Sequence, residues 1–231
     1  MTDWMIARHR VAIAGLVVDG VTGKPMSGAH VEIVAKPAAF ESRLALLSSI
    51  RRAPGTEVER PDTARTRNDG LFYFLDLPEG RYKLVAFLPK EGLRDKNVLP
   101  VKEDLDGDPY KVKGDKRYGK AQEEVAVSNK EGFGKLVFLK LQPTGVTGRV
   151  IAAANKAGVL LAEVRVQGSG ERGFTDSQGQ YIVAGVQPNQ RAKRRLSVSA
   201  RGYRTERLEV MVDEPGAFKK VEDIKLSREG G

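Results

Sequence analysis

Cysteine is absent from this 231-residue chain, histidine occurs twice and tryptophan once, at Trp4. Without cysteine there is no disulfide, no thiolate metal site and no cysteine nucleophile, which fits a reducing compartment. The two histidines, His9 and His30, have no paired spacing and fall in or beside the first two predicted strands, so neither forms the core of a zinc or iron centre. A Ser/His/Asp arrangement, a glycine-rich phosphate loop and a peptidase metal motif are also missing. No apolar run approaches the length of a transmembrane helix. The expectation is a non-enzyme with no cofactor and no membrane span.

Charge of one sign does not dominate either. The formal net charge is +9, with 39 basic against 30 acidic residues interleaved along the chain. That balance favours solubility and weak attraction to anionic surfaces, and falls short of a dedicated nucleic-acid footprint. Arg8-His9-Arg10 followed by Val11 to Val18 has the outline of a signal peptide. The same segment aligns with Val146-Thr147-Gly148-Arg149-Val150-Ile151, so it reads instead as a first strand.

What the chain does have is a repeat. Gly15 and Gly148 lie 133 apart, and so do Ala29 and Ala162, while Gly70 and Gly179 lie 109 apart. Val125, Val127, Phe133 and Leu141 precede Val210, Val212, Phe218 and Leu226 by 85. Such a repeat has to be recognised before a fold is assigned. Period-2 alternation, β-branched residues and glycine turns at Asn68-Asp69-Gly70 and Ser177-Gln178-Gly179 mark about seven short strands in each copy. Leu71, Tyr73 and Leu75 alternate with Phe72 and Phe74, so that one face packs and the other meets a neighbour. Two domains follow, 1–142 and 143–231, joined near Gln142-Pro143-Thr144.

The copies differ in two insertions within the first. Over about 36–62, Phe40, Leu44 and Leu47 follow helical spacing between Pro37 and Pro54-Gly55, predicting a short helix that either caps the sandwich or docks a partner. Over about 90–120 runs a loop with nine basic and seven acidic residues, whose only apolar anchor is Val98-Leu99-Pro100-Val101. Asp104, Asp106 and Asp108 within it alternate as Ca²⁺ ligands can, but Pro109 stands where the sharp bend of a calcium loop needs glycine. In copy 2 the densest basic cluster is Arg191, Lys193, Arg194 and Arg195, a candidate for an acidic protein partner; without interleaved aromatics it does not read as a nucleic-acid site.

Gly15, Gly28, Ala29, Val31, Gly70, Phe72, Leu77, Pro78, Gly80, Tyr82 and Leu84 in copy 1 follow a pattern that resembles the carboxypeptidase regulatory-like domain. So do Gly148, Ala162, Val164, Gly179, Tyr181, Val186, Pro188 and Gly202-Tyr203 in copy 2, which departs at Pro188-Asn189-Gln190-Arg191. The resemblance implies an all-β protein of two tandem seven-stranded transthyretin-like (prealbumin-like) sandwiches. Members of that family are mostly non-catalytic modules. Enzymes on the related fold use histidine-rich sites or iron held by tyrosines and histidines, neither of which is present here. The expected role is a structural or adaptor subunit contacting other protein subunits of an assembly, with phage-tail-like contractile injection machines as one example. A cytoplasmic location or an intracellularly assembled particle accompanies that reading, with secretion left open. The alternative is a carbohydrate-binding or surface-adhesion module.

Overall fold

A computed structural model describes residues 9–50, 60–90, 114–128 and 134–229. The protein is all-β apart from one helix, and it divides into two compact units. Unit 1 comprises Met1–Asp115 with Lys120–Leu141, and unit 2 comprises Lys116–Gly119 with Gln142–Gly231. The chain therefore leaves unit 1 for four residues before returning to finish it.

Unit 1 contains β1 (Val11–Asp19), β2 (His30–Ala35), α1 (Ala38–Ile50), β3 (Thr63–Arg65), β4 (Leu71–Leu75), β5 (Gly80–Phe87), β6 (Ala121–Val127) and β7 (Lys135–Leu141). They form two sheets, β4-β1-β7 and β3-β2-β5-β6, in which β7 runs parallel to β1. Unit 2 contains β8 (Gly145–Ala152), β9 (Glu163–Val166), β10 (Arg172–Phe174), β11 (Gln180–Ala184), β12 (Arg194–Ser199), β13 (Glu206–Val210), β14 (Phe218–Lys220) and β15 (Ile224–Leu226). Its sheets are β11-β8-β14, with β15 also on β8, and β10-β9-β12-β13. Strand for strand this is the order of unit 1, except that the last strand is broken in two.

The register makes the correspondence exact at the residue level. Gly15 faces Phe72, and Gly148 faces Tyr181. A Cβ on Gly15 would lie 2.2 Å from Phe72 Cζ, and one on Gly148 would lie 2.8 Å from the Tyr181 hydroxyl, so in each unit an aromatic ring lies over a glycine on the neighbouring strand. Asp19 pairs with Leu141 and Ala152 pairs with Leu226. In unit 2 Thr147 pairs with Lys220 but Val150 pairs with Ile224, so one extra residue separates β14 from β15.

Each unit has its own core, formed by the inward alternate residues of both sheets. In unit 1 these include Ile13, Val17, Val31, Ile33, Phe72, Phe74, Leu84 and Leu139, all buried. In unit 2 they include Val146, Val150, Val164, Val166, Tyr181, Val183, Leu196 and Leu226. Each such side chain contributes about 1.5–3 kcal/mol on leaving water. One buried hydroxyl recurs in both cores. Thr66 Oγ1 accepts from Ala29 N and donates to Met26 O, at 2.8 and 2.6 Å. Thr175 Oγ1 accepts from Ala162 N and donates to Val159 O, at 2.8 and 2.5 Å. The buried backbone of each bend is thereby paired.

The short helix stands where the Phe40-Leu44-Leu47 spacing predicts it, with Phe40 N and Glu41 N donating to Pro37 O. The 90–120 insertion is not one loop. Pro89 bridges Gly114 and Asp115 N donates to Leu88 O, which closes its neck; Val98, Leu99, Val101, Asp104, Asp106 and Asp108 lie outside the described residues. Lys116–Gly119 is a strap of unit 2: fully buried Thr144 donates from N to Arg117 O and from Oγ1 to Lys116 O, while Gly119 N donates to Gln142 O.

Candidate interaction surfaces

The sandwiches present four outer sheet faces, and one of them is apolar. On β4-β1-β7 the outward residues are Leu71, Tyr73 and Leu75 from β4, Ala14, Leu16 and Val18 from β1, and Leu136 and Phe138 from β7. Ala14 lies between Tyr73 and Leu136, and Leu16 lies between Leu71 and Phe138. Leu136 is 64% and Phe138 58% exposed, far above the burial of their strand neighbours Val137 and Leu139. Scattered exposed hydrophobics are ordinary, but a contiguous patch across three strands marks a contact surface.

On the matching face of unit 2 four of these stations are polar, while Ile182, Ala184 and Ile151 stand for Tyr73, Leu75 and Val18. Thr147 stands for Ala14, Arg149 for Leu16 and Gln180 for Leu71, and Lys220 pairs with Thr147 as Leu136 pairs with Ala14. Thr147 Oγ1 donates to Tyr181 O and Arg149 Nε to Gln178 O, fixing polar groups on that face. Ile182 is its isolated exposed hydrophobic on β11.

At one end of the apolar face three cations gather. Lys140 follows Phe138 outward beside Val18, Lys24 precedes Pro25, which bridges Val18, and Arg67 N donates to Leu71 O. Their side chains make no ion pair or hydrogen bond among the described residues. The acids nearby are engaged by turns. The Asp19 carboxylate accepts from Val21 N and Thr22 N, and that of Asp69 from Leu71 N. At the opposite end Asp76, in a left-handed conformation with φ 53°, accepts from Arg10 N and contacts His9 Nδ1. The His9 hydrogen bond, then that from Arg10 N, hold its carboxyl below the usual range.

The sequence-derived candidates fall elsewhere. Phe40 is 0% exposed, its ring edge-on to Tyr82 at 5.9 Å, and Leu44 and Leu47 are half-buried on the same side of α1. Phe40 has no surface to offer a partner. Arg194 is likewise engaged: Nε and Nη2 both donate to Gln187 O, at 3.0 and 2.7 Å. In unit 1 the Tyr82 hydroxyl donates to Pro78 O at 2.8 Å, so a guanidinium replaces a phenol at the turn where the two sequences part. Arg195 pairs with Glu209 at 3.2 Å, and Arg191 N donates to Asn189 Oδ1. Lys193 keeps a free ammonium among the described residues. It shares an open, shallow depression with Gln167, Arg195 and Glu209.

The base of the first insertion holds a buried ionic cluster that sequence reasoning did not find. Asp62, 1% exposed, takes hydrogen bonds from Lys36 Nζ at 3.0 Å and from Arg60 Nε and Nη2 at 2.9 and 2.8 Å. Burial pushes its carboxyl upward, but the Arg60 and Lys36 hydrogen bonds and charges outweigh burial and hold it below the usual range. Lys36 and Asp62 bracket the insertion, so the pair ties its two ends together. His30 lies over Phe87 at 5.0 Å and opposite Arg65 on β3. Burial first, then the charges of Arg65 and Arg60, lower its pKa to about 4. It is neutral at pH 7, with the cations Arg65 and Arg60 and the already engaged carboxylate of Asp62 around it. Among the described residues no three His, Asp or Glu side chains gather in a metal-holding group.

No protein-family model and no curated protein matches the chain. Solved structures similar to it include the shaft pilin SpaA of Lactobacillus rhamnosus GG, at 11% identity over 97% of this chain and 98% of that one, TM-score 0.40. The Bacillus anthracis TIE protein matches at 13% identity over 94% of this chain, TM-score 0.36, and a type II cohesin–X-dockerin complex from Acetivibrio cellulolyticus at 17% over 36%, TM-score 0.30. The chain spans 34% of the TIE protein and 56% of the cohesin–dockerin chain. At these TM-scores the likeness has no bearing on what the chain binds.

Proposed function

We propose that this protein is a non-enzymatic adaptor or structural subunit, two tandem transthyretin-like sandwiches in which the outer β4-β1-β7 face of unit 1 seats another protein. The observation that carries it is the apolar face: eight outward residues across three strands, where unit 2 with the same topology presents threonine, arginine, glutamine and lysine at four of the stations. The fold does not require apolar residues at those four stations, because unit 2 folds with polar ones there. The charge around the face specifies the partner's chemistry. Free Lys24, Arg67 and Lys140 at one end fit a partner whose apolar surface is rimmed by Asp or Glu, and a net charge of +9 opposes pairing with a second copy of the same chain. A carbohydrate platform fits less well, because Tyr73 and Phe138 are surrounded by aliphatic side chains without the polar groups that orient a sugar. Nothing in the fold ties this contact to a contractile machine rather than to another assembly.

The double variant Leu136→Lys/Phe138→Lys tests the reading in the native source. Both side chains are outward, so the melting temperature should stay within a few degrees of the parent, by about 1 kcal/mol or less. A stoichiometric partner co-purifying with the parent should be lost from the variant, because a buried Phe anchor is worth about 2 kcal/mol or more at an interface. The same complex recovered with both proteins would remove this face from the function.

A further inference from the structure

Unit 2 carries a second, different surface that the linear cluster at Arg191–Arg195 obscures. On β10-β9-β12-β13 the register places Arg172 opposite Arg165, Arg165 opposite Ser197, and Ser197 opposite Arg207. Three arginines and a serine thus form one straight row across all four strands. Arg165 and Arg172 are about half exposed, and Arg207 is exposed. Glu163, on the same face, is their shared carboxylate, at 3.3 and 3.4 Å, longer than a strong charge-assisted hydrogen bond. The Arg207 guanidinium makes no hydrogen bond or ion pair among the described residues. In unit 1 the same row reads Thr63, Glu32, Val85 and Gln122, in the same pairings. Like charges directly opposite on neighbouring strands destabilise a sheet. The sister copy shows that the fold can do without this row, whose one directly opposed cation pair, Arg172 and Arg165, needs Glu163 between its charges.

We propose that this row binds an acidic segment of another protein, laid across the strands. Strands lie about 4.8 Å apart, so Arg172 and Arg207 stand about 14 Å apart, the span of carboxylates at i, i+2 and i+4 of an extended peptide. Arginine side chains reach the intermediate positions, and each guanidinium can take a carboxylate in bidentate fashion. The serines Ser197 and Ser199 add hydroxyls along β12. A peptide suits the face better than a nucleic acid. Glu163 and Glu209 sit among the cations and repel a polyanion charged at every repeat. The one aromatic on β10, Phe174, has Arg172 over its ring at 5.9 Å, and no second aromatic lies along the row for successive bases to stack on among the described residues. This site is on the other unit and the other type of sheet from the apolar face, so either can fail without the other.

The experiment uses the full chain and a fluorescent short peptide of alternating Glu and Ser, with the Gln/Ser peptide as control, read by anisotropy. Saturable binding of the Glu peptide is expected, weakening about tenfold between about 0.05 and 0.3 M salt. Arg165→Glu/Arg207→Glu should weaken it about tenfold or more, and the milder Arg165→Gln/Arg207→Gln several-fold, the latter with an unchanged melting curve. Leu136→Lys/Phe138→Lys should bind the peptide like the parent. Unchanged binding by Arg165→Gln/Arg207→Gln overturns the proposal, as does equal binding of the Gln peptide. Tighter, row-dependent binding of a single-stranded oligonucleotide of equal charge also overturns it, by assigning the row to nucleic acid.

Discussion

Tyr82 and Arg194 hold the same carbonyl of two related turns, one with a phenol and the other with a guanidinium. Around them the two units share glycine under an aromatic, threonine clamping a bend and the same strand order in both sheets. They differ most at outward stations, with leucine and phenylalanine on one face of unit 1 and arginine on another face of unit 2. A duplicated sandwich keeps its interior because packing couples those positions to one another, whereas an outward residue on a strand can change without disturbing the core. The difference between the units is therefore the place to find what the protein does.

The largest expected contrast lies in the turn glycines. Gly179 and Gly70 have φ of 77° and 75°, but a Cβ on Gly179 would lie 2.2 Å from Val150 O, against 2.8 Å from Val17 O for Gly70. Both approaches are to backbone, which cannot swing aside. Gly179→Val should cost unit 2 about 3 kcal/mol or more, and Gly70→Val should cost unit 1 about 1–3 kcal/mol. Amide exchange on β8 and β1 reads each unit separately, and equal losses would show that the tighter approach at Gly179 has no energetic weight.

Acid should separate the units next. His30, with a folded pKa of about 4 against 6.5 in the free side chain, is neutral when folded and takes up a proton more readily when unfolded. Its contribution is fully present above pH 6.5 and declines as the pH falls toward 4. Asp62, held below the usual carboxylate range, acts in the same direction at lower pH. Protection of β2 in unit 1 should fall over this window, while β9 in unit 2, which has no histidine, holds. Replacing His30 with Gln should flatten the fall between pH 6.5 and 4; parallel decline of both units would attribute it to something they share.

The smallest contrast is one of sign. The Tyr82 hydroxyl donates a hydrogen bond to Pro78 O, whereas the buried Tyr181 hydroxyl has no partner among the described residues, and burial raises both phenols to about 12. Tyr82→Phe should cost about 1 kcal/mol, and Tyr181→Phe, which restores the residue type of Phe72, should be neutral or gain up to about 1 kcal/mol. Loss of stability in both would place an ordered water on Tyr181.

Much of the fold was legible because its strictest requirements are local. Gly15 and Gly148, Gly70 and Gly179, and Pro37 before Phe40 each occupy a position that few other residues can fill, and their spacing carried the duplication and the helix. The outward halves of β1 and β4 could be read as well, through Leu71, Tyr73 and Leu75. Leu136 and Phe138 could not be added to them, since their place beside β1 depends on a parallel pairing more than a hundred positions away. The arginine row was hidden for the same reason. Arg165, Arg172 and Arg207 are scattered along the chain and meet only through register, whereas the dense run at Arg191–Arg195 drew attention although two of its members are tied to Gln187 and Glu209. The 142/143 boundary missed Lys116–Gly119 because nothing in those four residues announces that Thr144 needs their carbonyls.

The parallel pairing of first and last strands also decides how each unit meets mechanical load. Pulling the ends of β1 and β7 in opposite directions slides the strands past each other, so the hydrogen bonds share the force instead of opening one at a time. In unit 1 that ladder is uninterrupted from Ile13–Lys135 to Asp19–Leu141. In unit 2 it is split into Gly145–Phe218 to Thr147–Lys220 and Val150–Ile224 to Ala152–Leu226, two short runs with a slack residue between them. Stretched by its ends in a single-molecule instrument, unit 2 should give way first and at lower force, leaving the sandwich with the apolar face still folded.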